Sequence, residues 1–261
     1  EEQITEKTKV IVPVDYAGYP VDIEEINQIA KKYNLVVIED AAHALGAERN
    51  GEKVGTQADM TMFSFHPVKH ITTGEGGIIT TNNKEYYEKM KMFRTHGITK
   101  ENMSQNPGPW YYEMQDLGYN YRITDLQCAL GSSQLRKIEQ FIKRRIEIAE
   151  KYDKAFKNNP NIKTPPKKEN GRHVYHLYPI QVPSERRKEI FEKLREKEIY
   201  VQVHYIPVHT QPYYKENYGY EYGNYPKSEQ FYEKEISIPM YPKMTEKEQE
   251  YVIKTINELT K

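Results

Sequence analysis

Lys69 stands in a short loop between two apolar runs, within Phe63-Ser-Phe-His-Pro-Val-Lys-His-Ile-Thr-Thr-Gly-Glu-Gly-Gly77. Upstream, a further apolar run, residues 35–38, ends in Glu39-Asp-Ala-Ala-His43. A carboxylate at one strand end and a lysine beyond another suit pyridoxal phosphate: the lysine as a Schiff base, Asp40 against the pyridine nitrogen. Taken alone, a loop lysine is ordinarily a solvated cation. Here Pro67 stiffens the approach, and Gly74, Gly76 and Gly77 permit tight turns and close backbone approach. A Schiff-base lysine also needs a depressed pKa, which a partly desolvated site supplies.

In open α/β sheets, ligands sit beyond the carboxyl ends of the strands, where Asp40 falls. A carboxylate there keeps a pyridine nitrogen protonated; the competing reading is a cap for the segment that follows. His43 is placed to bond a phenolic oxygen or pack on a ring, or else is a satisfied structural histidine. Ser64, five residues before Lys69, is a phosphate donor or a hydroxyl that caps its own strand.

These residues need a sheet to position them. Residues 9–14 read as a buried strand, and Asp15-Tyr-Ala-Gly-Tyr-Pro20 as a loop. Asp22 is expected to cap a helix carrying Ile23, Ile26, Ile29 and Ala30 on one face, before the strand at 35–38. Strand, helix, strand predicts a parallel sheet with crossover helices. Residues 60–65 and 77–81 read as strands, 83–93 as a helix, and 95–120 mostly as loop. From 124 to 156 the apolar spacing, from Leu126 and Leu130 to Ile146 and Ala149, predicts one long helix linking two lobes. Gly131 marks a kink or a close contact within it. Beyond lie a strand (176–182), a helix (185–197), a strand (200–205), a Tyr-rich loop (213–225) and a last helix (246–259). The domain boundary is expected at 135/136: residues 1–135 part of a large cofactor-binding domain, 136–261 a linker helix and small α+β lobe.

The balance of 38 basic against 38 acidic residues gives no bulk attraction to nucleic acid or membranes. No apolar run approaches the ~20 residues of a membrane span, and no signal peptide opens the chain. The single cysteine, Cys128, makes no internal disulfide, so a reducing cytosol and a buried, inert thiol are expected. Nor can one cysteine hold a four-cysteine iron–sulfur cluster, and no metal site is read.

Glu39-Asp-Ala-Ala-His-Ala-Leu-Gly-Ala47, the lysine loop closed by Gly74-Glu-Gly-Gly77, and Gly118-Tyr-Asn-Tyr-Arg-Ile-Thr-Asp-Leu-Gln-Cys-Ala-Leu-Gly131 resemble the DegT/DnrJ/EryC1/StrS sugar aminotransferases. With Val201-Gln-Val-His-Tyr-Ile-Pro207 the resemblance covers nearly the whole chain. The lysine loop and Gln202-Val-His-Tyr205 are most like the pseudaminic-acid branch. The resemblance implies a pyridoxal-phosphate-dependent transferase of fold type I, an α/β protein with part of a large parallel-sheet domain and a small C-terminal α+β domain. Lys69 would carry the cofactor and the shifting proton. Asp40 would pair with the pyridine nitrogen, His43 would lie near the ring oxygen, and Ser64 would bind the phosphate. Asn120 would reach the phosphate of a neighbouring subunit, implying a homodimer with shared sites; a cytoplasmic location follows from the cysteine usage above. His204 and Tyr205 would contact substrate.

The implied reaction moves an amino group, with glutamate as donor, to C4 of a UDP-linked 4-keto-6-deoxy sugar destined for a surface glycan. Rival readings are another nucleotide-linked 3- or 4-keto sugar, a cofactor-binding regulatory module, or a non-catalytic lobe. Members of the family carry a further segment before the first strand read here. It supplies another strand, a phosphate loop and an aromatic that stacks on the cofactor. A chain without it is expected to bind cofactor poorly and to expose apolar surface. Related dehydratases replace the lysine by histidine, so Lys69 speaks for amino transfer.

Overall fold

Val10 and Ile11 start a β-structure whose partners lie one crossover away. In the computed structural model, which describes residues 1–261 except Asn102 and Lys168, β1 (Val10–Ile11) is followed by a 3₁₀ turn at Tyr16–Gly18 and then α1 (Ile23–Tyr33). α1 buries Ile23 and Ala30 against Val37 of β2 (Val36–Asp40). Asn34, in the left-handed region at φ 54°, ends the helix and returns its N–H to the last turn. Asp22 occupies the N-cap position, but its side chain does not cap; it forms an ion pair with Arg49 instead.

A small hairpin, β3 (Glu48–Arg49) and β4 (Glu52–Lys53), precedes β5 (Met60–Ser64). β6 (Gly77–Thr80) and α2 (Lys84–Arg94), capped by the Asn83 side chain, follow. The sheet runs β1-β2-β5-β6; the first three strands are parallel and β6 is antiparallel to β5. Short strands β7 (Ile98–Thr99) and β8 (Glu113–Met114) pair within the segment read from sequence as loop.

The long helix expected over 124–156 is two helices. α3 (Asp125–Leu135) starts in a full capping box between Thr124 and Gln127. α4 (Ile138–Phe156) begins after a tight turn in which Lys137 N–H bonds the Gln134 carbonyl at 2.8 Å. Gly131 lies mid-helix, not at that break, and answers a close contact: a Cβ there would meet Thr73 Cγ2 at 2.8 Å. Cys128 is exposed, against the expectation of a buried thiol, because it lies on a face of α3 that its own unit's described residues leave open.

The chain divides into two units: Glu1–Tyr16 with Pro20–Ile138, and Ala17–Tyr19 with Glu139–Lys261. In the second unit, α4 packs Ile148, Tyr152 and Phe156 into one apolar cluster with β10 (Tyr178–Gln181), α5 (Ser184–Glu196), β11 (Glu235–Ile238) and α8 (Glu246–Leu259). A short β9 (Gly171–Arg172) precedes β10, which pairs antiparallel with β11. The Tyr-rich stretch is not all loop; it contains α6 (Pro212–Tyr218), and α7 (Pro226–Lys234) follows it, each with proline in its first turn. The strand expected at 200–205 reduces to a single bridge between Gln202 and Ser237. Beyond that bridge the Glu235 carboxylate takes the His204 N–H, so no strand ladder continues there. Among the described residues no helix is long and apolar enough to cross a membrane.

Candidate active site

Asp40 closes β2 and is pinned from both sides. Its N–H bonds the Pro13 carbonyl at 2.8 Å, and its carbonyl accepts Asp15 N–H at 3.0 Å. The next residue, Ala41, donates to the Met62 carbonyl of β5 at 2.9 Å. The Asp40 side chain accepts the Ala42 N–H at 3.1 Å, so the capping contact exists alongside any cofactor role. Strand alternation sends Glu39 the other way. Burial holds the Glu39 carboxyl above the usual carboxylate range, against its bonds to the Thr61 hydroxyl (2.9 Å) and the Gly55 backbone. His43 is buried in the turn after β2, its ring 6.3 Å from that of Tyr16.

One strand along, β5 ends at Ser64, whose hydroxyl accepts His66 N–H at 3.3 Å. The lysine loop is closed at its base: Phe65 N–H bonds the Gly76 carbonyl at 2.9 Å, and Thr73 N–H bonds the Phe65 carbonyl at 3.0 Å. Gly74 (φ 83°) and Gly76 (φ 151°) occupy backbone conformations that side chains resist. His70, Ile71 and Thr73 are buried and anchor the loop. Lys69 is partly buried at its turn. That desolvation lowers the amine's pKa, and the nearby Asp40 charge opposes the shift. Thus the two residues singled out from sequence interact electrostatically at adjacent parallel strand ends.

α3 steadies this loop from one face. Gln127 Nε2 donates to the Glu75 carbonyl at 2.9 Å, Gln134 Oε1 accepts Thr72 N–H at 3.1 Å, and Gly131 between them admits Thr73. Positions 127, 131 and 134 follow helical i, i+4, i+7 spacing. Sequence reading missed these supporting roles, as it did that of Glu39; a polar and small stripe on an otherwise apolar helix was the available signal. Asn120 is exposed and pairs locally, its Oδ1 accepting Arg122 Nε–H at 3.0 Å. His204 and Tyr205 belong to the second unit, joined by a cis peptide bond.

An amine pushed toward neutrality, a carboxylate that acts on it and a hydroxyl at the next strand end fit pyridoxal phosphate by the chemistry of the donor set. Among the described residues there is no cluster suited to a metal ion.

The model of the DegT/DnrJ/EryC1/StrS aminotransferase family matches residues 1–257. The chain is 42% identical over 255 residues to UDP-4-amino-4,6-dideoxy-N-acetyl-beta-L-altrosamine transaminase of Campylobacter jejuni, covering 97% of this chain and 66% of that protein. It superposes on Helicobacter pylori PseC, an aminotransferase of pseudaminic-acid biosynthesis, with TM-score 0.92 and 36% identity, over 99% of this chain and 68% of that one. The PLP form of Spr1654 of Streptococcus pneumoniae gives TM-score 0.90 and 34% identity, over 99% and 70%. The chain therefore spans about two thirds of the length of these relatives.

Proposed function

This chain belongs to the DegT/DnrJ/EryC1/StrS aminotransferase family, and from that premise we propose that it transfers an amino group to a nucleotide-linked keto sugar. Pyridoxal 5′-phosphate is the cofactor, glutamate the donor, and C4 of a UDP-linked 4-keto-6-deoxy sugar the acceptor. The resemblance to the Campylobacter transaminase and to PseC supports the choice of sugar. We further propose residues 1–135 as part of the cofactor-binding domain and 136–261 as the linker and small domain of a cytoplasmic homodimer.

When bound, pyridoxal phosphate supplies an electron sink for the carbon that exchanges its proton during amino transfer. Lys69 Nζ, shifted toward its neutral form, is suited to act as nucleophile and as proton carrier. Asp40 supplies the negative charge for the pyridine nitrogen from a backbone held by Pro13 and Asp15 on one side and by β5 on the other. Ser64 offers a hydroxyl to the phosphate, and His43 a ring to the cofactor's phenolic oxygen. Asn120, exposed and bonded through its Oδ1 to Arg122, is assigned to the cofactor phosphate of a neighbouring subunit. His204 and Tyr205 are assigned to substrate.

The observation that carries this reading is the partly desolvated Lys69 under the influence of Asp40. Borohydride reduction of the cofactor-loaded protein should attach the cofactor at Lys69, read by peptide mass. Lys69→Ala should lose both that attachment and amino transfer to a UDP-linked 4-keto sugar. Normal turnover in the variant would refute the assignment, and preference for a 3-keto sugar in a substrate panel would redirect the acceptor.

A further inference from the structure

Three polar side chains in the second unit form a connected chain that the cofactor chemistry leaves unused. Glu235, the first residue of β11, is fully buried. Its Oε2 accepts the His204 backbone N–H at 2.8 Å, and its Oε1 accepts the Ser237 hydroxyl at 2.5 Å. Ser237 lies two residues along the strand, on the same face, and its Oγ is 2.8 Å from His204 Nδ1. Paired backbone bonds between Gln202 and Ser237, of 2.8 and 3.2 Å, hold the two segments in register.

We propose that Glu235, Ser237 and His204 form a proton relay, in which His204 Nε2 takes up or releases a proton while the balancing change of charge occurs on Glu235. With Glu235 ionised, Ser237 donates to it, His204 donates from Nδ1 to Ser237, and Nε2 carries the lone pair. A proton arriving at Nε2 lets the Nδ1 proton pass to Ser237 Oγ, and the Ser237 proton passes to Glu235 Oε1. One proton enters, each O–H or N–H bond broken is matched by one formed, and the imidazole stays neutral throughout. The ring has inverted its tautomer, from Nδ1–H to Nε2–H.

The surroundings favour this exchange. Burial pushes the Glu235 carboxyl up to about 7, against the Ser237 and His204 bonds and the charge of Arg187 on α5. Tyr205 beside it is held protonated, by burial and by Glu235 itself. On β10 the residue opposite is the uncharged Gln181, and Lys234 precedes Glu235 in the chain. The carboxyl therefore changes charge where histidines exchange protons. Glu235 and Ser237 are positioning residues, and His204 becomes a two-way proton carrier suited to a hydroxyl-bearing ligand such as a sugar. That last assignment rests on the function proposed above; the relay does not.

Nitrogen-15 NMR of histidine-labelled intact protein between about pH 5 and 9 reads the tautomer directly. His204 should pass from Nδ1–H to Nε2–H as pH falls through about 7, without forming imidazolium. In Glu235→Gln the side-chain oxygen must still accept the His204 N–H, so the amide faces Ser237. Ser237 then donates to Nδ1, and His204 should stay Nε2–H at every pH. Ser237→Ala breaks the chain, and the tautomer inversion of His204 should be lost. An imidazolium in the unmodified protein, Nδ1–H retained in Glu235→Gln, or tautomer inversion surviving Ser237→Ala would each overturn the relay. None of these outcomes depends on which sugar, if any, is aminated.

Discussion

The two units spend their apolar residues differently. In the second, one continuous cluster buries large side chains from α4, β10, α5, β11 and α8, with Leu194 and Ile236 fully enclosed. In the first, α1 and β2 make a small core, while Val10, Ile78 and Ile79 on the edge strands and Val12 just after β1 remain exposed. α3 leaves Leu126 at 86% exposure. The candidate cofactor residues Asp40, Ser64 and Lys69 all lie in the first unit. Site precision there comes from hydrogen bonds that fix strand ends and the lysine loop, whereas the second unit derives its order from packing. Chemistry and stability are thus separable by mutation.

The largest expected effect tests the first unit. Asp40→Asn keeps the shape and removes the charge, so turnover should fall by about 10²-fold or more, as for other lost electrostatic contacts. Cofactor retention, followed by its absorbance, should change much less. If the variant instead unfolds while its surviving folded fraction turns over normally, the bond to Ala42 is the residue's whole purpose and the comparison fails on its chemical side.

Next comes packing. Leu194→Ala should destabilise the second unit by about 3 kcal/mol, the usual cost of emptying a closed core site. Leu126→Ala, on the open face of α3, should stay within about 0.5 kcal/mol. Urea unfolding of both variants measures the contrast. Equal losses would mean that Leu126 is covered, and that the first unit's apolar face has an occupant.

This contrast also explains which features were legible in the sequence. Asp40 and Lys69 could be read because strand ends are marked locally, by Glu-Asp-Ala-Ala and by Pro67 with the glycines. Helical periodicity in 124–156 was real, yet the same apolar spacing is buried at Ile142 and Ile148 and exposed at Leu126 and Leu135. Periodicity reports a face, not its cover. β11 escaped notice because Glu235-Ile-Ser-Ile238 alternates polar with apolar, which reads as half-exposed, although all four residues are buried. The polar pair is satisfied by His204, more than thirty residues away in sequence. That pairing is tertiary, and no local rule carries it. Helices α6 and α7 did carry a local sign, Pro212 and Pro226 in their first turns, which the density of tyrosines masked.

The last expected effect, smaller than the loss at Leu194, concerns acid and two buried groups of the second unit. His173 is buried, which lowers its pKa to about 4 despite a bond to the Gly18 backbone; its ordinary value is 6.5. As pH falls below 6.5 the unfolded chain takes a proton that the native state refuses, so this group's stabilisation is lost progressively down to about 4. Glu235 acts in the opposite sense. Its pKa is raised from 4.5 to about 7, so its stabilisation is complete below 4.5 and lost as pH rises toward 7. Between 4.5 and 6.5 the two slopes oppose, and the unmodified unit should show a nearly flat plateau. Glu235→Gln removes one slope and unmasks the other. Its stability should climb with pH across that window, by on the order of 2 kcal/mol relative to the parent. Amide exchange of α5 and β11, compared at both ends of the window, measures this without interference from the first unit. Parallel profiles for parent and variant would show that Glu235 does not titrate there, and that the acid response of the second unit lies elsewhere than in these two buried groups.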